Sequence, residues 1–313
     1  MPDQHTGQIA SQIARVMTRN LYLGADLTPV IGATDLASLV AGGSKVLRQV
    51  TATNFPVRAK GLAAEILDAQ PELVGLQEVA LWRTGPASIA PLLGGPKTAT
   101  TVRYDFLALL LGELNAGEER YRPVVIQEEL DFEAPADENG IVGDGPAPIS
   151  NAELNARLTL RDVILMRVDA GVHVSEPMAG HFQHLLEVPI LGSSLAVTRG
   201  WTRVDARVRG GRPFRFVNTH LEAFDPPTLQ PSIRALLAAG FVAADTGGPP
   251  TCCIESDDLT TGTAAMLTQH LDHVLTNAPD TVHLVESFVT GRAMANGYWD
   301  SDHAGVVSAL LIR

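Results

Sequence analysis

The sequence predicts an α/β protein, a four-layer sandwich in which two packed β-sheets are flanked by helices. Three observations carry that expectation: apolar runs of strand length recur along the chain, helical stripes alternate with them in the first third, and hairpin-like strands crowd the middle. No internal repeat or low-complexity tract breaks the 313 residues, so we expect an N-terminal tail over 1–12 and one domain over 13–313.

Residues 13–23 mix β-branched and apolar side chains and end at Gly24, the pattern of a strand opening into a loop. Residues 35–49 read as a helix interrupted by Gly42 and Gly43. In the next helix Asn54 stands at the cap, Pro56 in the first turn, and Val57, Leu62, Ala63, Ile66 and Leu67 along a buried stripe. Gln70-Pro71 stops it, and Leu73-Val74-Gly75-Leu76 is the short apolar run of a buried strand, ending at Gln77-Glu78. Residues 102–114 are expected to be helical, with Phe106, Leu109, Leu110 and Leu114 on one side, and 121–132 to be a strand. The Pro-, Gly- and Asp-rich stretch 133–150 reads as a surface loop. Strands are expected again over 156–168, 194–208 and 213–221, the last two joined by a turn at Gly210-Gly211, then over 269–276, 282–289 and 304–312.

A hydrophobic share of 45% with 19% charged residues excludes global disorder. Against 35 Asp and Glu stand 23 Lys and Arg, a net −12; such a surface repels a phosphate backbone and disfavours long nucleic acid as a partner. The first residues are polar and lack the basic-then-apolar arrangement of a secretory signal, so the cytoplasm is the default compartment. The most lipid-like stretch, around 106–111, falls far short of the ~20 residues of a transmembrane span. Cys252 and Cys253 are adjacent, which makes them poor partners for a loop-closing disulfide or a four-ligand zinc site; we expect small buried residues. Nothing in the sequence reports an oligomeric state.

Five polar positions sit at the ends of apolar strands, where the strand fixes the backbone and its end exposes the side chain to a cleft. They are Asn20, Glu78, Asn218-Thr219-His220, Asp272 and Ser301-Asp302-His303. Together they hold two candidate metal carboxylates (Glu78, Asp302), two imidazoles (His220, His303), an amide (Asn20) and a carboxylate able to orient an imidazole (Asp272). Phosphoester hydrolysis needs those parts: a Lewis acid, donors for developing negative charge, and an acid or base. His181 and His184 carry a structural expectation, and Tyr298-Trp299 fits a substrate-facing loop as well as packing.

The strings MTRNLYLG (17–24), LVGLQEV (73–79), VNTHLEAFD (217–225), LDHVL (271–275) and SDHAGV (301–306) resemble, in order, the motifs of the endonuclease/exonuclease/phosphatase family, broadly akin to neutral sphingomyelinases and DNase I-like enzymes. The resemblance implies a DNase I-like fold and a Mg²⁺-dependent (or other divalent-cation-dependent) phosphodiester hydrolase acting through activated water. It implies Glu78 as main metal ligand with Asp302 near the metal, and His303, oriented by Asp272, as the imidazole at the scissile phosphate. His220 and Asn20 would bind phosphoryl oxygens, with Asn218 also on the substrate side. With the net acidity, the substrate expected is a small or lipid-derived phosphoester.

The chain departs from the family at one place. Members carry, between the THLE and LDHVL motifs, a buried strand ending in Gly-Asp-x-Asn; here Asp225 is followed by PPTLQPSIRALLAAGF, which reads as a helix through Ile233, Leu236 and Leu237. Asp137-Glu138-Asn139, Asp144, Asp225, Asp257 and Asp258 are the stand-ins the sequence offers. The alternative to an enzyme is a catalytically impaired descendant that binds a phosphate ligand without turnover.

Overall fold

The computed structural model describes residues 12–141, 143–146, 149, 151–183, 185–221, 234–245 and 247–313. In chain order come β1 (Gln12–Asn20), α1 (Leu36–Ala52), α2 (Phe55–Ala69), β2 (Leu73–Gln77), β3 (Leu81–Pro86), β4 (Thr101–Asp105), α3 (Phe106–Leu114), β5 (Tyr121–Ala136) and β6 (Leu154–Arg167). The second half holds β7 (Val172–His181), β8 (Leu186–Ile190), β9 (Ser193–Val197), β10 (Gly200–Val208), β11 (Phe214–Thr219), β12 (Val242–Ala243), β13 (Leu275–Thr276), β14 (Val282–Thr290) and β15 (Gly305–Ile312).

The larger sheet runs β14-β15-β1-β2-β6-β3-β4, with β5 also paired to β6. In it β1 and β2 are parallel, and the other ladders are antiparallel. The second sheet is the antiparallel β11-β10-β7, and β8-β9 and β12-β13 form two-stranded ribbons. The three helices named above pack on one face of the larger sheet, where Leu39, Val46, Leu62, Ile66, Phe106 and Leu110 meet Met17, Val74, Leu76, Val163 and Leu165. A second core lies between the sheets, with Ala14, Val16, Leu73, Ile164 and Met166 against Val204, Ala206 and Val208. Residues 163–166 alternate between these two cores, which is why β6 is a continuous apolar run: both of its faces are covered. The expected sandwich of packed sheets flanked by helices is therefore present, with helices few and confined, among those named, to one side.

Local differences from the expected elements have local causes. Gly42 and Gly43 do not interrupt α1, which Asp35 starts with a capping box to Ser38. A Cβ on Gly42 would stand 2.1 Å from the Pro29 carbonyl oxygen, so the glycines mark where the helix presses against neighbouring chain. Asn54 precedes α2 but takes a left-handed conformation, φ 43°, and makes no side-chain cap. The helix expected from 102 starts at Phe106, because Asp105 caps it by accepting from the Leu107 and Ala108 N–H groups, and 101–105 pair with β3 instead. The expected loop at 133–150 begins after Ala136, since β5 follows β6 that far. The expected strand at 194–208 is two strands, β9 and β10. The strand expected at 269–276 is cut to Leu275–Thr276, and β3 and β7, interrupted by Pro, Gly and polar residues, carried too weak an alternation to be anticipated. No helix among the described residues is long and apolar enough to cross a membrane.

Gly75 fixes the spacing between the sheets. A Cβ there would stand 2.6 Å from Asn218 Oδ1, whose amide is itself held by hydrogen bonds. Gly75→Ala is expected to destabilise the fold by about 1–3 kcal/mol through overpacking, seen as a lower urea midpoint at unchanged slope.

Candidate active site

Strand direction brings the polar ends together. Because β1 and β2 run in parallel with Asn20 opposite Gln77, Asn20 and Glu78 emerge side by side. Antiparallel β15 pairs Val306 with Thr18, so Ser301-Asp302-His303, just before that strand, reaches the same edge. β11 ends there too, placing His220 beneath the rim. Asn20, Glu78, His220, Asp272, Asp302 and His303 all line one cleft of about 1540 Å³.

On its carboxylate side, Glu78 sits in the left-handed region, φ 55°, a conformation that costs a non-glycine residue about 1–2 kcal/mol and turns its side chain away from the strand. Its oxygens accept from Asn20 Nδ2 at 3.0 Å and from the Leu23 N–H at 2.8 Å. Asn20 Oδ1 in turn accepts from the Tyr22 N–H at 2.8 Å, so this amide chiefly orients Glu78 and keeps one N–H for a ligand. Burial pushes the Asp302 carboxyl up to about 6 even though His303 opposes it, and the charge of Glu78 adds to the rise. Glu78 and the well-buried Asp302 form a donor set that fits a hard divalent cation, which takes one or two carboxylates and completes its shell with water and phosphate oxygens.

Two imidazoles on the other side differ in protonation, one cationic and one neutral. His303 Nδ1 lies 2.8 Å from Asp272 Oδ2. Burial works against a charged ring, but Asp272 and Asp302 outweigh it and push His303 up to about 9, leaving an imidazolium at neutral pH. His220 is held well below the usual histidine range by burial, by Arg199 and by His303. Its Nδ1 stands 3.2 Å from an Arg199 N–H, which can only donate, so the proton of the neutral ring sits on Nε2, 3.8 Å from Glu78 Oε1. The cleft thus offers a cationic and a neutral donor close to a carboxylate pair.

Buried arginines hold the rims in place. Arg58, on α2, is fully buried and donates to the carbonyls of Leu21, Tyr22, Thr53 and Asp300, tying the segment after β1 to the segment before β15. Arg19, on β1, donates to the His303 carbonyl and pairs with Glu65 at 2.8 Å.

Several expected roles are corrected. Asn218 does not line the cleft. Its amide donates to the Leu76 and Val163 carbonyls and accepts from Gln77 Nε2, joining β11 to the larger sheet, so it is a positioning residue rather than a substrate contact. Asp137, Glu138, Asn139 and Asp144 do not line it either; Glu138 pairs with Arg103, and Asn139 donates to Asp144. Asp225, Ile233 and His184 lie outside the described residues. Asp257 and Asp258 do line the cleft, although Asp258 mainly accepts from Thr260 and Ser256 of its own turn.

A short strand does occupy the interval thought to lack one. β12 pairs with β13 and runs into Asp245, within the interval where the resemblance led us to expect Gly-Asp-x-Asn; the sequence there is Ala244-Asp245-Thr246-Gly247. The Asp245 carboxylate faces away from the cleft lining, accepting from the Val274 and Gly247 N–H groups and meeting His273 Nδ1 at 3.4 Å. It braces the loop that carries Asp272. The apolar run 241–244 was the available signal, weakened by two alanines and by its length.

Cys252 and Cys253, expected to be merely small and buried, have their sulfurs joined to each other, and both line the cleft beside His303. Arg199 and Arg58, isolated arginines in the sequence, gave no signal of their part in the site.

The His303–Asp272 pair generates a pH test. A folded value of about 9, above the unfolded value of about 6.5, means a stabilising contribution fully present below about pH 6.5 and lost as pH rises through about 9. In Asp272→Asn the His303 ring protons, followed by NMR, are expected to titrate at least one pH unit lower, roughly, and this loss of stability between about pH 6.5 and 9 to shrink.

No protein-family profile and no curated protein sequence matches the chain. Solved structures do. An endonuclease/exonuclease/phosphatase family protein from Bacteroides thetaiotaomicron superposes with a TM-score of 0.50 at 13% identity, covering 97% of this chain and 99% of its own. A mannosyl-6-phosphatase from the same organism gives 0.48 at 13% identity, covering 95% and 99%, and a humanized D. rerio TDP2 gives 0.47 at 14%, covering 95% and 98%. With the two-sheet architecture and the convergent strand ends described above, the first of these identifies the fold of this chain as that of the endonuclease/exonuclease/phosphatase proteins, the DNase I-like sandwich.

Proposed function

We propose that this protein is a divalent-cation-dependent phosphoester hydrolase, acting on a phosphodiester that carries an apolar group. The observation that carries the reading is the convergence, around one cleft, of the Glu78–Asp302 carboxylates with the cationic His303 and the neutral His220. Mg²⁺ held by Glu78 and Asp302 would supply Lewis-acid polarisation of the phosphoryl oxygens.

The chain's own residues do the rest. His303, held by Asp272, presents a positive Nε2–H to the phosphoryl group and can pass that proton to the leaving oxygen. His220, its Nδ1 turned to Arg199, donates from Nε2 without adding charge. Asn20 keeps Glu78 in the orientation its left-handed backbone sets up.

The apolar part of the substrate is favoured by the cleft wall, which Ile31, Leu186, Leu195, Val197 and Phe241 line with hydrocarbon. Long nucleic acid is disfavoured by this wall as well as by the net charge of −12. One observation favours the competing reading of a ligand-binding descendant without turnover: the Asp245 carboxylate braces a loop instead of lining the cleft.

Hydrolysis of bis(p-nitrophenyl) phosphate with Mg²⁺ separates the two. Turnover that falls roughly 10²–10⁴-fold in both Glu78→Gln and His303→Ala supports the enzyme. A native protein that binds Mg²⁺ in calorimetry yet releases no nitrophenol supports the binder.

The apolar wall has its own measurement, a series of p-nitrophenyl alkyl phosphates of increasing chain length. KM is expected to fall about fourfold for each methylene buried, from ~0.8 kcal/mol per methylene. Leu195→Asn should flatten that dependence while leaving bis(p-nitrophenyl) phosphate kinetics within about twofold. A KM indifferent to chain length in the native protein would remove the apolar group from the proposal.

A further inference from the structure

We propose that Cys252, Cys253 and His303 form a binding site for a thiophilic divalent cation such as Zn²⁺, separate from the Glu78–Asp302 position. Their ligand atoms all lie within 4.8 Å of one another, and among the described residues this is the cluster of three or more such donors. Two sulfurs and an imidazole nitrogen select a soft or borderline cation, whereas two carboxylates select a hard one, so the cleft would sort cations by ligand chemistry.

One of the ligand separations already suits a tetrahedral ion, and the two sulfurs, joined to each other here, must part on reduction to supply the rest. With Zn–S of about 2.3 Å and Zn–N of about 2.0–2.1 Å, sulfur and nitrogen ligands stand about 3.5–3.6 Å apart. Cys252 Sγ is 3.5 Å from His303 Nε2. Backbone contacts hold the two segments at that separation: Cys252 bridges His303, the Ile254 N–H donates to the Asp302 carbonyl at 2.9 Å, and the Ala304 N–H donates to the Thr251 carbonyl at 2.7 Å. Asp272 takes Nδ1 of the same ring, which leaves Nε2 as the coordinating atom and reproduces the carboxylate–histidine–zinc relay. Three protein ligands leave a fourth position for water or a substrate oxygen.

The site exists in the dithiol form of the cysteine pair. A phosphine reductant converts the joined sulfurs to two thiols, taking up two electrons and two protons while the phosphine becomes its oxide with oxygen from water. Binding then releases the thiol protons and the Nε2 proton. Because Nε2 is the atom that faces the phosphoryl group in the proposed reaction, an occupied site withholds it from catalysis.

Cobalt(II) provides a readout independent of activity. The full chain, reduced with tris(2-carboxyethyl)phosphine and freed of excess reagent under argon, is titrated with Co²⁺ in the presence of excess Mg²⁺. We expect one equivalent to bind with a thiolate-to-cobalt charge-transfer absorption in the near ultraviolet. With only 2 cysteines in the chain, such a band can arise only from this pair. It should vanish in the unreduced protein, survive in Glu78→Gln, and be displaced by Zn²⁺. His303→Ala should keep the band and weaken binding at least about tenfold, since losing a ligand costs no less than losing an outer-shell partner.

The unreduced native chain is the control in which folding is not in question. No charge-transfer band in the reduced native protein, or a band whose affinity is unchanged in His303→Ala, overturns the proposal. So does binding lost in Glu78→Gln while circular dichroism shows that variant folded.

Discussion

The site rests on one pairing. β1 runs parallel to β2 and antiparallel to β15, and these two ladders decide that Asn20, Glu78 and the Ser301-Asp302-His303 segment share an edge. Side chains in a sheet alternate between faces, so a one-residue slip of β2 against β1 would carry Glu78 to the wrong side. The pairing is protected against that slip because both faces of the sheet are buried, by the helices on one side and the second sheet on the other. Strand register and the convergence of these polar residues are therefore specified by the same apolar contacts.

Electrostatics at that edge follows from the crowding. Two carboxylates brought together make the protonation of Asp302 easier, and the same negative field keeps His303 charged. His220, buried and facing both a guanidinium and that imidazolium, stays neutral. Asp302, His303 and His220 thus owe their charge states partly to their neighbours as well as to burial. A cation at the carboxylates would relieve their mutual repulsion and draw the Asp302 proton off.

Much of this was legible in the sequence, and the limits of legibility are physical. Glu78, His220, Asp272, Asp302 and His303 stood out because polar residues ending apolar strands are costly unless a cleft receives them, and the five do line one cleft. Asn218 carried the same signal and proved to be buried between sheets, because strand-end position does not tell which neighbour an amide meets. β12 was missed since a two-residue strand has no period to read, and its partner β13 is equally short. Arg58 and Arg199 were invisible for another reason: a buried arginine is chosen by the carbonyls or ring nitrogen it reaches, and those partners are remote in sequence. The helices were the easiest elements, apart from their first residues, where Asp105 and Asp35 set boundaries that periodicity alone does not mark.

The single guanidinium of Arg58 has a further consequence. It spans both lips of the cleft from a helix behind them, and releasing either lip would leave part of a fully buried guanidinium without its carbonyl partner. A form in which one wall of polar groups stands in place while the other has moved off must therefore sacrifice bonds of the same side chain, so the two walls are expected to keep their places together.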